Sequence, residues 1–500
     1  MGDLSPRATG GLWRTTIVYG AGSVAHRVVT FALLPILTRF LGPQELGASA
    51  LLDVAVACTL ALFSLGLGTS LTVCWAEART PGARNTAVAS ALGLLGGSIL
   101  VLGALSIVGA PLLARALFGS ADHTDLVWLA LGTAAAMVLQ VPLQMRLQLD
   151  GRATRSVALS IAATVILVAA SLIGVVLLGR GLRGLWEGRL VAHLLALGLL
   201  AVPLDLGRPI PFDRTTARDL LRLGLPMVPS FGAVFVLLQG NRYVLSWFAD
   251  LDTVGVYSVG VQLGMAMGLA VSAFSTAWTP YYLTFRDRPA EAARAFSRVF
   301  TLYALGFGAL ALLFYAGSRA ALLALTISPF ENGFRVAGHA ATAMLFVGAF
   351  NLLLPAPTFA REIGWSGAIQ VAAAIVSLGL NLALIPTWGI DGAGLALAGG
   401  TASMAALLWV WNRSRGARYL QVRYDVRRLA LFSLFYVATA TVLLRERSLG
   451  LAGECALAAG ASALVGLVVW ALLGREERSL LLARLRSALG RSERTEIGDA

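Results

Sequence analysis

The sequence predicts an all-α polytopic membrane protein with about 14 transmembrane helices, and two observations support this fold class. Hydrophobic residues make up 57% of the 500 positions and charged residues only 13%, so the chain cannot present the charged surface of a soluble protein. Apolar runs of about 20 residues or more recur along the whole chain. About 20 residues in a helix cross a hydrocarbon core of roughly 30 Å.

The first six predicted spans form an N-terminal lobe, residues 1–205. A Gly-Pro turn separates the first two, because proline and glycine favour a break between helices. A polar cytoplasmic linker, residues 206–218, ends this half of the chain. The six spans lie near residues 14–40, 47–73, 86–111, 124–147, 156–178 and 184–205.

Six further spans form a C-terminal lobe, residues 219–412, and a basic cytoplasmic loop follows at 413–428. Two extra spans, residues 429–473, precede a basic amphipathic tail at 474–500. The six spans of the lobe lie near residues 219–248, 253–283, 296–325, 336–360, 365–387 and 391–412, and the extra two near 429–445 and 450–473.

All 39 basic residues are arginine, and the net charge is +13. Most of them fall on one side of an alternating topology that begins with the N-terminus inside. Because cytoplasmic connections carry the excess of positive charge, we predict that both termini are cytoplasmic. The sequence lacks the polar basic domain that nucleic-acid binding requires, so we expect no nucleic-acid partner.

An internal repeat relates the two lobes. A shift of 208 residues places LTRFLGPQELGASAL (37–51) over LSWFADLDTVGVYSV (245–259) and GLRG (181–184) over GIDG (389–392). The shift moves each span by six helices, which is an even number, so the halves are parallel repeats about an axis along the membrane normal. We therefore predict two six-helix lobes around a central cavity, with the last two helices outside the repeat.

Two arginines are the main candidates for a site within the membrane. Arg27 is predicted near the middle of the first span, where a charge costs roughly 2.5 to 3.5 kcal/mol even on the lowest insertion scales. It should face a water-filled cavity or an anionic partner, with a buried structural ion pair as the alternative. Arg242, a few residues inside the outer end of the seventh span, either faces the cavity or extends to the outer headgroups.

Four stretches carry a resemblance to a known family: SVAHRVVTFALLPILTRFLGPQELGASAL (23–51), LLRLGLPMVPS (220–230), QGNRYVLSWFADLDTVGVYSVG (239–260) and NLALIPTWGIDGAGLALAGG (381–400). In order and spacing they resemble the Wzx-type lipid-linked oligosaccharide flippases of bacterial polysaccharide export. The superfamily of these flippases also contains multidrug and toxin extrusion transporters and the lipid II flippases of peptidoglycan synthesis. A cation-coupled multidrug or small-molecule antiporter is therefore the alternative function.

The resemblance implies that an undecaprenyl-diphosphate-linked oligosaccharide crosses the bacterial inner membrane by alternating access, for O-antigen, capsule or exopolysaccharide biosynthesis. A diphosphate carries about two negative charges, so its carrier needs a hydrated cationic cavity. We expect Arg27 and Arg242 to bind it, with Gln239 and Asn241 beside them. Family members often carry an acidic residue where this chain has Asn241, which puts an ion pair at that position in doubt.

Asp53, in the second span, is the clearest acid within a predicted span. It is expected to pair with Arg39 or Arg242, or to respond to protons or sodium, since relatives are driven by ion gradients. His26 and His339 are expected to be buried and neutral with backbone partners. Other polar span residues either line the sugar path or serve helix packing, namely Gln140, Gln239, Asn241, Gln262 and Gln370.

No resident cofactor and no enzymatic activity are expected, because the sequence has no Gly-rich phosphate loop followed by Lys and no metal-ligand cluster. The arginine clusters of the loop at 413–428 and of the tail suit anionic membrane lipids. Topology and lipid anchoring explain both clusters. Docking of the glycosyltransferases that build the glycan, or of a polysaccharide polymerase, is the alternative.

Overall fold

A computed structural model describes residues 33–150, 153–201, 212–445, 449–475 and 477–479. These residues are almost entirely helical and contain no strand, which confirms the predicted all-α fold. Within these described ranges, twelve stretches are long and apolar enough to cross a membrane. The protein is therefore a multi-pass helical membrane protein.

The N-terminal lobe consists of α1 (Leu34–Phe40), α2 (Pro43–Phe63), α3 (Leu67–Glu77), α4 (Pro81–Phe118), α5 (Thr124–Leu149), α6 (Ala153–Leu172) and α7 (Gly181–Ala201). The C-terminal lobe consists of α8 (Arg214–Gly224), α9 (Val228–Phe248), α10 (Leu251–Met265), α11 (Gly268–Leu283), α12 (Pro289–Leu325), α13 (Phe334–Leu353), α14 (Pro355–Phe359) and α15 (Gly364–Ser414). Two further helices follow, α16 (Val426–Leu443) and α17 (Leu451–Leu472).

Each predicted span except the first has a counterpart among these helices. The apolar stretch of α15 supplies the eleventh and twelfth, because the backbone breaks at Gly389. The first span is described only over its last turns, α1, and Arg27 and His26 lie outside the described residues. The structure thus agrees with about 14 spans as far as it describes the chain.

Local sequence explains where several helices begin. Asp250 caps α10, since its carboxylate accepts a 2.9 Å hydrogen bond from the backbone N–H of Thr253. Asp213 caps α8 in the same way, accepting from the N–H of Thr216 at 2.8 Å. Hydrogen bonds from the Thr215 and Thr216 hydroxyls lower the pKa of Asp213 well below its usual range. Both caps satisfy backbone N–H groups that a helix N-terminus leaves free.

The two lobes meet at a crossing of α2 and α10 that agrees with the predicted repeat. A Cβ atom on Gly47 would collide with the carbonyl oxygen of Leu251, and a Cβ atom on Gly255 would collide with the carbonyl oxygen of Pro43. The 208-residue shift exchanges Gly47 with Gly255 and Pro43 with Leu251. The contact is therefore self-complementary, as at a two-fold axis. We call this end of the bundle the outer end, after the predicted topology, and the opposite end the inner end.

A second pair of glycines also follows the repeat. Gly181, at the start of α7, and Gly389, at the break in α15, both have φ of +53°, a left-handed conformation that glycine adopts without strain. Both lie at the outer end, where the chain turns between two spans. The two lobes therefore share a glycine with positive φ at this turn as well as a helix order.

Ion pairs next to these glycines occupy related places with exchanged charges. In the N-terminal lobe Arg183 lies 3.6 Å from Asp125. In the C-terminal lobe Asp391, which the 208-residue shift places over Arg183, lies 2.9 Å from Arg335. The position is kept in the repeat, while the sign of its charge differs.

The two extra helices, α16 and α17, pack against α12. Tyr436 in α16 and Thr342 in α13 are hydrogen-bonded at 2.6 Å through their hydroxyls. Arg319 in α12 contacts both Glu331 at 2.7 Å and the buried Glu454 of α17 at 3.6 Å. These polar contacts fix both helices to the outside of the C-terminal lobe, away from the interface between the lobes.

Candidate substrate cavity between the lobes

A cavity of about 110 Å³ lies between the lobes, just inside the crossing of α2 and α10. Five described helices line it, three from the N-terminal lobe (α1, α2 and α7) and two from the C-terminal lobe (α9 and α10). The charged residues of this described lining are Asp53, Arg189 and Arg242. The described part of the lining therefore has one more positive charge than negative, within the membrane-spanning part of the bundle.

The ion pair of Asp53 joins α2 to α7. The Nη1 atom of Arg189 donates a 2.7 Å hydrogen bond to the Asp53 carboxylate, and its guanidinium stacks on the ring of Trp186 at 4.7 Å. The side chains are 23% exposed for Arg189 and 45% exposed for Asp53, so both remain accessible from the cavity. A charged ligand can therefore reach either group.

Among the described residues, the ion-pair partner of Asp53 is Arg189, which the sequence did not predict. Arg39 is exposed at the last turn of α1, whereas Arg242 shares the cavity with Asp53 and interacts with it electrostatically without forming an ion pair. The predicted span near residues 184–205 places Arg189 close to the outer end of that span. The described helix α7 begins at Gly181, so Arg189 lies about two turns inside the helix and faces the other lobe.

Arg242 lies where the cavity interpretation placed it. Its side chain lines the cavity, and its Nη1 atom donates a 2.7 Å hydrogen bond to the Oε1 atom of Gln239, one turn earlier on α9. Its Nε atom has no hydrogen-bond partner among the described residues. Gln239 thus positions Arg242, and the guanidinium keeps donor capacity for a ligand.

Asn241 differs from this pattern. Its side chain is 1% exposed, lies in the helix packing and does not line the cavity. Neither amide atom of Asn241 has a hydrogen-bond partner among the described residues. The structure therefore does not bring Asn241 to the cavity with Arg242, since neighbouring residues on a helix point about 100° apart.

The four remaining polar candidates lie in different environments. Gln262 lines the cavity. Gln140 donates a 2.7 Å hydrogen bond to the backbone oxygen of His193, which joins α5 to α7 within one lobe. Gln370 is half-buried on α15 and lies outside the cavity lining. His339 is buried and hydrogen-bonded to the hydroxyl of Tyr315 at 2.7 Å, a side-chain partner where a backbone partner was expected.

Solved structures of transporters share this fold. The chain is similar to the lipid II flippase MurJ in an inward closed conformation, with a TM-score of 0.73, 12% identity and coverage of 93% of this chain and 100% of that chain. It is similar to an inward-facing MATE family multidrug resistance transporter of the MOP superfamily, with a TM-score of 0.64, 16% identity and coverage of 79% and 95%. For an outward-facing MATE transporter the values are 0.53, 19%, 82% and 96%.

No curated protein matches the chain. The sequence signature of the family described as "Polysaccharide biosynthesis protein" matches residues 12–285. This match includes every described helix of the N-terminal lobe and both lobes' contributions to the described cavity lining, because all of those residues lie between 12 and 285. It covers more than half of the 500-residue chain, and the protein therefore belongs to the polysaccharide biosynthesis protein family.

Proposed function

We propose that the protein is a flippase that moves an undecaprenyl-diphosphate-linked oligosaccharide across the bacterial inner membrane. Membership of the polysaccharide biosynthesis protein family supports this substrate class. The fold shared with a lipid II flippase supports the type of movement. Flipping makes and breaks no covalent bond of the glycan, so the proposal requires no catalytic residue and no resident cofactor.

The observation that carries the proposal is the cationic lining of the cavity. A diphosphate and the hydroxyls of a glycan cannot enter hydrocarbon without polar partners. Arg189 and Arg242 come from opposite lobes and face the same cavity. Guanidinium groups form paired hydrogen bonds with phosphate oxygens, and these are strengthened where water is scarce. Arg27, in the same predicted span as α1, is proposed as a third arginine of the site.

The geometry supports alternating access that starts at the inner end. We propose that the close contact of α2 with α10 closes the outer end. Near the inner end, exposed hydroxyl side chains lie on one helix of each lobe, Thr69 and Thr72 on α3 and Ser272, Thr276 and Thr279 on α11. We propose that these hydroxyls line the path of the glycan.

Substrate phosphate would displace Asp53 from Arg189. Protonation of Asp53, or sodium binding to it, would then couple the movement of the substrate to an ion gradient.

The alternative, a cation-coupled drug antiporter, is favoured by one observation. Asp53 is an acid that is 45% exposed at the cavity, and acidic groups attract cationic drugs. Arg189 neutralises it at 2.7 Å, however, and Arg242 leaves the described lining positive. The lining therefore favours an anionic substrate over a cationic one.

Replacement of the cavity arginines tests the proposed function. We expect Arg189→Gln with Arg242→Gln to trap lipid-linked oligosaccharide in the inner leaflet and to lower surface glycan about a hundredfold or more. Removal of two charge-assisted phosphate contacts, each worth about 1.5 kcal/mol or more, predicts a loss of this size. The measurement is the amount of lipid-linked oligosaccharide and of surface glycan in cells that express the variant at the wild-type level.

Arg39→Gln is the matched control, because it removes an exposed arginine at the outer end. It should leave export unchanged. Normal surface glycan in the double variant, or an equal loss in the control, would count against the cavity as the substrate site.

A further inference from the structure

A second cluster of arginines lies at the inner end of the C-terminal lobe, away from the cavity between the lobes. Two adjoining cavities there, of about 390 and 270 Å³, share Gln421 and Arg423. The larger one, which we call the basic cavity, lies between the first turns of α12, the loop before α16 and the first turn of α16. Its charged lining residues are Arg294, Arg298, Arg423, Arg428, Asp425 and Glu477.

The basic cavity carries an excess of positive charge. Arg428 forms ion pairs with both carboxylates, that of Asp425 at 3.0 Å and that of Glu477 at 3.2 Å. The other carboxylate oxygen of Glu477 lies 3.8 Å from the Nε atom of Arg298. Arg294 and Arg423 have no ion-pair partner among the described residues. In the described part of the lining, four guanidinium groups thus face two carboxylates, which leaves two positive charges for a ligand.

The structure already places an anion between α12 and α16. Glu477, which follows α17, is only 12% exposed, and its Oε2 atom also accepts a 2.6 Å hydrogen bond from the N–H of Gly474. A carboxylate therefore reaches the centre of the arginine cluster from the C-terminal segment. The cluster therefore binds a negatively charged group, and Glu477 neutralises only part of its positive charge.

The depth of the basic cavity matches the level of lipid headgroups. The helix α12 has 37 residues, and about 20 residues cross the hydrocarbon core. Its first turns, which carry Arg294 and Arg298, therefore extend beyond the hydrocarbon at the inner end. Exposed apolar side chains follow toward the membrane centre, Leu302 on α12 and Leu431 and Leu434 on α16. A phospholipid whose phosphate is bound by the arginines would have its acyl chains beside these leucines.

The smaller cavity offers hydrogen-bonding groups next to the arginines. Asn412 lines it, and its Nδ2 atom donates a 2.9 Å hydrogen bond to the backbone oxygen of Leu353. The Oδ1 atom of Asn412 has no hydrogen-bond partner among the described residues. Gln421 lines both cavities. This recess can accept hydrogen bonds from hydroxyl groups attached to the phosphate.

We infer that the basic cavity binds the headgroup of phosphatidylglycerol from the inner leaflet. The phosphodiester lies among Arg294, Arg298 and Arg423, and the glycerol hydroxyls point toward Asn412 and Gln421. Basic pockets between transmembrane helices at the cytoplasmic side commonly hold phosphate headgroups. The lipid would join α12 to the loop before α16, and Glu477 would compete with it for Arg298 and Arg428.

Lipid binding to the purified full-length protein tests this inference. We expect native mass spectrometry in detergent to show retention of added phosphatidylglycerol and little retention of phosphatidylethanolamine, which has no net charge. Arg298→Gln with Arg423→Gln should weaken phosphatidylglycerol binding about 30-fold, since each arginine near the surface contributes roughly fivefold. Arg79→Gln with Arg286→Gln is the matched control, because it removes two exposed inner arginines outside both cavities and should change nothing.

Glu477→Gln provides a variant with the opposite sign. It removes the competing carboxylate and should tighten phosphatidylglycerol binding by roughly fivefold, which a misfolded protein would not do. Equal retention of both phospholipids, or an equal loss in the control variant, would overturn the inference. Added undecaprenyl diphosphate that displaces phosphatidylglycerol, with a loss of its own binding in the Arg298 and Arg423 variant, would assign the cavity to the carrier lipid and also overturn it.

Discussion

Arg189 and Asp53 form an ion pair that joins two helices of the N-terminal lobe at the cavity. Arginines near the ends of spans usually extend to the headgroups, and only the contact with Asp53 on another helix distinguishes this one. The sequence left Arg242 either at the cavity or at the outer headgroups, and it left Asp53 either paired with an arginine or sensitive to protons or sodium. The identity of the partner could not be predicted, because it depends on how α7 is rotated against α2.

Asp53→Asn is expected to bind lipid-linked substrate more tightly and to export it more slowly. The change removes the anion that competes with phosphate for Arg189, so the substrate-bound state becomes more stable. Release becomes slower, because no carboxylate remains to replace the phosphate on Arg189. Binding of a diphosphate-bearing lipid to the purified variant and export in cells measure the two effects. The variant should remain folded, since a half-exposed ion pair contributes at most about 1 kcal/mol. Weaker binding with normal export would contradict this role.

The crossing of α2 and α10 depends on two glycines that could be aligned from the sequence, although their contact could not be seen there. Gly47→Ala and Gly255→Ala should each force the outer ends apart, because the added Cβ atom would meet a backbone carbonyl oxygen. We expect a cysteine at the buried cavity position Ser49 to become labelled from the outside by a membrane-impermeant thiol reagent, in a background without the three native cysteines.

Gly97→Ala is the control for the crossing, since a Cβ atom there meets nothing within 4 Å. It should leave the cysteine at Ser49 unlabelled. If Gly255→Ala also leaves it unlabelled, the crossing does not close the outer end.

The cap of α10 should depend on pH. Hydrogen bonds from the side chain and the backbone N–H of Thr253 lower the pKa of Asp250, so the cap stabilises the helix fully above the ordinary Asp pKa of about 3.9 and is lost as the pH falls through the lowered value. Asp250→Ala should lower stability at pH 7 by about 1 kcal/mol. Thermal unfolding between pH 7 and pH 3 measures this effect. We expect the difference in stability between the variant and the wild type to be smaller at low pH than at pH 7.

Asp252→Ala is the matched change for the cap, because it removes an acid from the same turn that makes no capping hydrogen bond. Its effect on thermal unfolding should be much smaller. Equal losses for Asp250→Ala and Asp252→Ala would indicate a general charge effect and no cap.

At the scale of the whole molecule, the sequence predicted most of the architecture. Apolar runs of membrane-spanning length identified every described span, because the bilayer imposes length and polarity on each helix. The 208-residue shift agreed with the reciprocal glycine contact and with the paired turns at Gly181 and Gly389. Rotations of helices about their axes are set by contacts between lobes and leave little trace in one sequence. This is why Asn241 was expected at the cavity and lies outside it.

For the whole molecule, we propose that the cavity with net positive charge between the lobes moves a diphosphate-linked glycan. Reconstitution of the purified protein in liposomes, with a polyprenyl-diphosphate-linked oligosaccharide in one assay and a lipophilic cationic drug in another, tests it most directly. We predict flipping of the glycan lipid, loss of flipping in the Arg189→Gln, Arg242→Gln variant and no transport of the drug. Drug transport that depends on Asp53, without flipping of the glycan lipid, would contradict the account.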